Sequence, residues 1–449
     1  MYLPDPRHAT LGNELYDVVE PAEFPRAVLR YRNRRWARRI GLDGLDDDRW
    51  VEHFARFRPL PDNLQKPLAL RYHGHQFQNY NPELGDGRGF LFAQVRDPED
   101  NRLLDLATKG SGRTPWSRRA DGRLTLKGGV REVLAAEMLE ALGVYTSKAF
   151  SLIETGEELV RHDEPSPTRS CVLVRLGHSH IRIGSFQRLA YQGNTDALSR
   201  LLNYSVATYW PEFDAPDTAG RAVGLLRAVT RAVARMGAEW TVAGFVHGVL
   251  NTDNVVITGE SFDYGPWRFL PTLEPGFTAA YFDRTGLYAF GRQPDSLDWN
   301  LHRLAECFLG LAAEQDLHDA LAEFMPTFEA ALMERTLARL GLSSSGERSQ
   351  DARLTNAFYK ALADSGLPFE RAFFDLVGGA RGERIADSPH ADVYASDAWR
   401  DAVNRLRQAT PVNDIDTVLD HPYFRGNEPT TLLVDEVESL WAAIAEFDD

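Results

Sequence analysis

Apolar residues along this chain fall into short runs over its first third and into helical spacing thereafter. From Phe90 to Val95 and from Leu103 to Thr108 they form brief segments bounded by Gly, Asp and Asn, which predicts two strands joined by a turn at Asp97–Asn101. Val130–Leu142 then takes a helical period, with Val130, Val133, Leu134, Met138 and Leu142 on one face and Gly143 as the stop. Ala149–Ile153 and Cys171–Leu176 return to strand character. Beyond about residue 190, Asp196–Trp210 and Ala219–Trp240 are long amphipathic runs. Helices are predicted again over Trp299–Leu311, Asp319–Leu340, Asp351–Ala363, Ala398–Leu406 and Val434–Phe447, with short strands at Val255–Ile257 and Trp267–Leu270. The expected fold is α+β: residues 1–65 as an extension packing on the core, 66–190 as a small sheet-containing lobe, and 191–449 as a larger helical lobe.

Composition narrows the class. With 43% hydrophobic and 26% charged residues the chain reads as a soluble globular protein, and 449 residues suffice for one elaborated two-lobed enzyme. A formal charge of −15 argues against a nucleic-acid partner held by a general basic field. The run Arg30–Arg35 reads as a solvated face rather than a phosphate site. No signal pattern opens the chain and no window is apolar enough to span a membrane, so a cytoplasmic, monomeric protein is expected. Cys171 and Cys307, far apart in sequence, read as buried reduced thiols rather than a disulfide.

The chemistry concentrates in His247-Gly248-Val249-Leu250-Asn251-Thr252-Asp253-Asn254 and in Asp263-Tyr264-Gly265. Protein kinases write their catalytic loop H-R-D-x-x-x-x-N and follow it with a metal-binding D-F-G. His247, Asn254 and Asp263 occupy the corresponding places, but the usual base position holds Val249, and a carboxylate stands instead at Asp253. The metal ligands are therefore expected at Asn254 and Asp263, and a displaced base at Asp253.

Upstream, Leu84-Gly85-Asp86-Gly87-Arg88-Gly89 lets backbone amides approach an anion, with Arg88 adding a cation. Such a turn is more often only structural. Lys109, ending the next strand, and Glu132, early in the following helix, shift the reading, because a phosphate-binding lysine held by a helix glutamate is an ion pair that kinases require. Asp121-Gly122-Arg123 lies in the connection before that helix, and Arg175 and Arg182 flank the last strand of the small lobe as further phosphate cations. His73-Gly74-His75 has no third ligand at a recognisable spacing and reads as structural hydrogen bonding rather than a zinc site.

These motifs together resemble the selenoprotein O family of kinase-fold protein adenylyltransferases, densely from Arg71 to Leu304. Tyr72-His73-Gly74-His75-Gln76-Phe77, Lys109-Gly110-Ser111-Gly112-Arg113-Thr114-Pro115-Trp116-Ser117-Arg118, Val130-Arg131-Glu132 and Gln293-Pro294 carry the likeness beside those above. The resemblance implies that Gly85, Gly87, Arg88, Lys109, Asp121, Gly122, Arg175 and Arg182 contact ATP, that Asp253 is the proton acceptor, and that Asn254 and Asp263 hold Mg²⁺ or Mn²⁺. It also implies a nucleotide reversed relative to ordinary kinases, so that AMP is transferred to a Ser, Thr or Tyr hydroxyl of a protein and pyrophosphate leaves. Two departures stand out. Thr410–Asp449 lacks the family's carboxyl-terminal Asn-Pro segment and thiol, and Gln94-Val95 replaces a Gly-Glu-Val. Two other readings stay open: an ATP-binding interaction module, and a conventional phosphotransferase.

Overall fold

The computed structural model describes residues 1–162 and 164–447. It is α+β, built on an antiparallel sheet. Across the sheet the strands run Tyr16–Val18, Leu68–Leu70, Leu91–Arg96, Leu103–Lys109, Thr168–Gly177, Lys148–Leu159 and Val28–Arg32, with Leu124–Thr125 also pairing with Thr168–Gly177. Both edge strands come from the first 32 residues, so the amino-terminal stretch is woven into the sheet from either side. The basic run is consumed there: Arg30 pairs with Glu154, Arg35 with Glu140, and the Arg32 guanidinium lies 4.0 Å over the Trp50 ring.

Strand alternation gives the sheet two different faces. Leu104, Leu106, Val172 and Val174, with Phe150 of the strand Lys148–Leu159, pack against Trp50 and Phe54 from the amino-terminal region. On the other face the register sets Lys109 opposite Leu173, Ala107 opposite Arg175 and Asp105 opposite Gly177. Lys109, Ala107 and Asp105 thus follow one another along a single face, the one that carries the candidate site.

Against this face lies the helix Leu126–Ala141, which begins four residues before the apolar period does. Gly128 and Gly129 hide its first turn from the pattern, yet Thr125 caps it, its hydroxyl accepting from the Gly128 N–H at 3.1 Å. Gly129 is required by packing, because a Cβ there would come within 2.6 Å of both Leu152 Cδ1 and Cys171 Sγ. Close approach of helix and sheet in turn buries Glu132.

Helices make up the remainder. Thr218–Ala243 starts under the Asp217 side chain, which accepts from Gly220 N–H at 2.7 Å, and stops at Gly244 with φ +64°. Phe245–Val246 then pairs with Arg268–Phe269, and the segment from His247 to Asp263 hangs between these short strands. Val255–Ile257, expected as a strand, makes only a single bridge from Val256 to Arg182. The expected helix Asp319–Leu340 is split into Glu314–Leu321 and Phe324–Arg339. Pro326 explains the break, since a residue with no N–H fits a first turn and not a helix interior. A second apolar core gathers Phe358, Phe369, Phe373 and Trp399. The last helix, Val434–Phe447, returns to the Glu132 helix, burying Val437 and pairing Glu438 with Lys127 at 2.7 Å. No described helix is long and apolar enough to cross a membrane.

Candidate active site

The segment His247–Asn254 is pinned from several sides. Gly248 sits at φ +84°, where a Cβ would meet Ala279 Cβ at 2.9 Å. His247 is buried, its N–H donating to Gln293 Oε1 at 3.0 Å and its Nε2 lying 3.1 Å from the Phe262 carbonyl. Burial lowers its pKa, so the imidazole is a neutral strut joining this segment to the Asp263 loop. Asn251 Oδ1 accepts from the Phe77 N–H (3.1 Å) and the Tyr288 hydroxyl (2.9 Å), and Thr252 Oγ1 accepts from the His75 N–H at 2.7 Å. Asn254 Nδ2 donates to the Val249 carbonyl at 3.0 Å, which fixes the orientation of its amide.

Asp253 is held less fully, its carboxyl having a hydrogen bond only from its own backbone N–H. Its Oδ1 is sealed and has no hydrogen-bond partner, while other atoms of the residue remain open to the cavity. Burial pushes its carboxyl up to about 7, against the pull of Arg182. The fit beside it is tight, since a Cβ on Gly74 would lie 3.0 Å from Thr252 Oγ1 and 3.2 Å from that Oδ1.

Asp263 is the electrostatic opposite. It adopts φ +62°, a conformation uncommon for a non-glycine residue. Burial alone would raise its pKa, but Lys109, Arg175 and Arg182 outweigh it and hold the carboxyl well below the usual range. Lys109 Nζ donates to Asp263 Oδ1 at 2.7 Å and Arg175 to the same oxygen at 3.0 Å. Lys109 also pairs with the buried Glu132. Arg182 lies 3.2 Å from Asp86 Oδ1, with its guanidinium 4.3 Å over the Tyr72 ring.

These groups surround a cavity of about 350 Å³. Gly85, Gly87, Arg88, Lys109, Arg175, Arg182, Asp253 and Asp263 line it together. Glu132 stands behind Lys109, and Asn254 follows Asp253 without reaching the lining. Asp121 and Gly122 follow Ala120, which lines the cavity, without lining it themselves: Asp121 pairs with Arg161 at 2.8 Å, and Gly122 packs on Gly112, where a Cβ would come within 2.3 Å of its carbonyl carbon. Sequence reasoning gave no site role to Tyr72, Asp86, Trp116, Arg118 and His180, which also line the cavity. Trp116 sets the glycine turn, since a Cβ on Gly85 would meet its ring at 2.3 Å. The signal for it was the motif Lys109–Arg118, whose aromatic residue sits opposite the only residue type that leaves room for it. His73 and His75 engage Tyr80 and Gln187 at 2.8 Å each, and among the described residues no group of three or more His, Cys, Asp or Glu is placed to hold a metal. Cys171 and Cys307 are buried and free, with burial raising both thiol pKa values, that of Cys307 to about 12.

A glycine turn over a cation-lined cavity, with an ion-paired carboxylate inside and an unpaired one beside it, has the make-up of a transferase site for a phosphate ester. The chain belongs to the family described as protein adenylyltransferase SelO, which matches residues 3–449. Similar proteins include the protein nucleotidyltransferase YdiU of Synechococcus elongatus, 48% identical over 99% of this chain and 92% of its own length. Those of Synechocystis sp. and Chromobacterium violaceum are 42% and 38% identical, over 99% and 97% of this chain and 95% of each relative. The enzyme class is thus nucleotidyltransferase, with ATP as the substrate that adenylyl transfer requires and proteins as acceptors.

Proposed function

We propose that this chain transfers AMP from ATP to Ser, Thr or Tyr hydroxyls of protein substrates, on a kinase-like two-lobed scaffold divided near residue 190. The observation that carries the reading is Asp253, a carboxyl poised near neutrality in a cavity that Arg88, Lys109, Arg175 and Arg182 also line. Val249 at the ordinary base position cannot accept a proton, so Asp253 takes that part. The acceptor hydroxyl gives its proton to Asp253 as its oxygen bonds to the α-phosphorus. The bond from that phosphorus to the bridging oxygen breaks, and pyrophosphate leaves with the electron pair. Lys109, Arg175 and Arg182, cations of the same cavity, take the negative charge that develops on it.

Two oxygen donors, Asn254 and Asp263, are few for a cation but suit Mg²⁺ or Mn²⁺, which commonly take one or two protein ligands and complete their shell with phosphates and water. Both ion pairs of Asp263 use Oδ1, which leaves Oδ2 for such a role, and the fixed amide of Asn254 sends its Nδ2 to Val249 and leaves Oδ1 as a donor. When bound, the ion would neutralise phosphate charge. ATP labelled at the α-phosphate, supplied with either metal and a protein acceptor, tests the reading. Incorporation of α-label supports it, whereas γ-label without α-label makes the chain a phosphotransferase and neither label makes it a binding module.

A further inference from the structure

Asp105 lies four residues before Lys109 on the cavity-facing side of its strand and is buried at 1% exposure. It takes part in no step above, yet three donors converge on it. Gln94 Nε2 reaches its Oδ1 at 2.7 Å, the His180 backbone N–H reaches Oδ2 at 2.9 Å, and the His180 ring Nδ1 lies 3.3 Å from the same Oδ2. Gln94 is itself oriented. Its Oε1 accepts from the His8 N–H at 2.7 Å, and its backbone exchanges hydrogen bonds with the Asn63 side chain at 2.9 and 2.7 Å. The amide can therefore present only its NH₂ to Asp105.

Past His180 this chain of bonds meets the nucleotide cavity. The His180 carbonyl accepts from Arg182 NH1 at 3.3 Å, and that same nitrogen faces Asp86 Oδ1 at 3.2 Å. Arg182 is therefore aimed by two oxygens, and one of them stands on a turn whose position Asp105 sets.

We infer that Asp105 is a positioning residue for ATP binding: it holds the turn leading to Arg182 by both the N–H and the ring of His180, and Gln94 fixes the direction of hydrogen bonding that makes this possible. The inference rests on Arg182 being a phosphate-binding group, as proposed above. It also gives Gln94 a task, because a glutamate there would set one carboxylate against another.

The test uses Asp105→Asn, Gln94→Glu and their combination, with steady-state transfer of α-label from ATP. In D105N the new NH₂ must face either Gln94 Nε2 or the His180 N–H, donor against donor. KM for ATP should rise roughly tenfold with kcat within about threefold, the scale of one lost hydrogen bond to a charged group. In the double variant the carboxylate introduced at position 94 accepts from the amide NH₂ introduced at position 105 and from the His8 N–H. The oxygen of that amide still accepts from His180, so KM should return to within about threefold of wild type. On an Arg182→Ala background D105N should add nothing further, as residues acting through one another are not additive. Gln94→Ala removes a donor without creating a clash and serves if D105N does not fold. It should raise KM about two- to threefold, and not at all with R182A. A folded D105N with lowered melting temperature but wild-type KM, or one as harmful with R182A as without it, overturns the inference alone. R182A with wild-type KM would overturn the phosphate role of Arg182, and the inference with it.

Discussion

Asp253→Asn should make the protein more stable at alkaline pH while disabling it. Lifting a carboxyl from an ordinary 3.8 to about 7 costs its ionised form about 4 kcal/mol, an upper figure because the residue is open to the cavity. The sign follows from proton counting. Between those two values the folded protein binds a proton that the unfolded chain has lost, so this residue makes stability fall as pH rises through the window and leaves it flat above about 7. Below 3.8 both states are protonated and the cost is absent.

Asparagine escapes this penalty. The variant should exceed wild type by about 1.5 kcal/mol at pH 5 and about 4 kcal/mol at pH 8, less a constant of about 1–3 kcal/mol for any unsatisfied buried amide. The difference between the two pH values is therefore the quantity to read, from urea unfolding of nucleotide-free and metal-free protein. On the same sample, single-turnover AMP transfer should fall by roughly 10²–10⁴-fold with ATP affinity kept. Gain of stability with loss of function is the mark of a group placed for chemistry at the fold's expense. The alternative is an Asp that caps its own loop by backbone hydrogen bonds. A stability gap that does not widen from pH 5 to pH 8, or a variant less stable at pH 8 than at pH 5 relative to wild type, would refute the poised-base argument in favour of that one.

Three further outcomes follow from the same geometry. Lys109→Ala removes a cation shared by Glu132 and Asp263, and should weaken ATP binding by calorimetry while lowering the melting temperature, since the buried Glu132 and the part-buried Asp263 both lose a partner. Asp263→Ala and Asn254→Ala should each abolish most metal-stimulated turnover, and Asp263→Ala with wild-type activity at ordinary Mg²⁺ would remove it as a ligand. Gly74→Ala drives a Cβ to 3.2 Å from Asp253 Oδ1, and should slow transfer while leaving ATP affinity within about twofold.

The same distinction between local and distant partners decides what was legible in the sequence. Asp253 and Asp263, which line one cavity, could be singled out because they stand in two short stretches, where the carboxylate missing at Val249 and the one present four residues on are visible side by side. The sheet's inner strands were legible through their apolar runs, whereas Tyr16–Val18 and Val28–Arg32 are too short and too exposed to show a period and are set by what they pair with. Asp121 has a partner that the sequence does not show: its carboxylate meets Arg161, 40 residues further along. Asp105 lay beyond reach for the same reason, since its donors come from 11 residues before it and 75 after. A net charge of −15 likewise says nothing of a cavity where Lys109, Arg175 and Arg182 converge, because summed charge sets the far field and placement sets the near one. Within such a cavity the pKa of a carboxyl is decided by its neighbours: Asp263, touching two cations, is held ionised, and Asp253, touching none, is left able to exchange a proton near neutral pH.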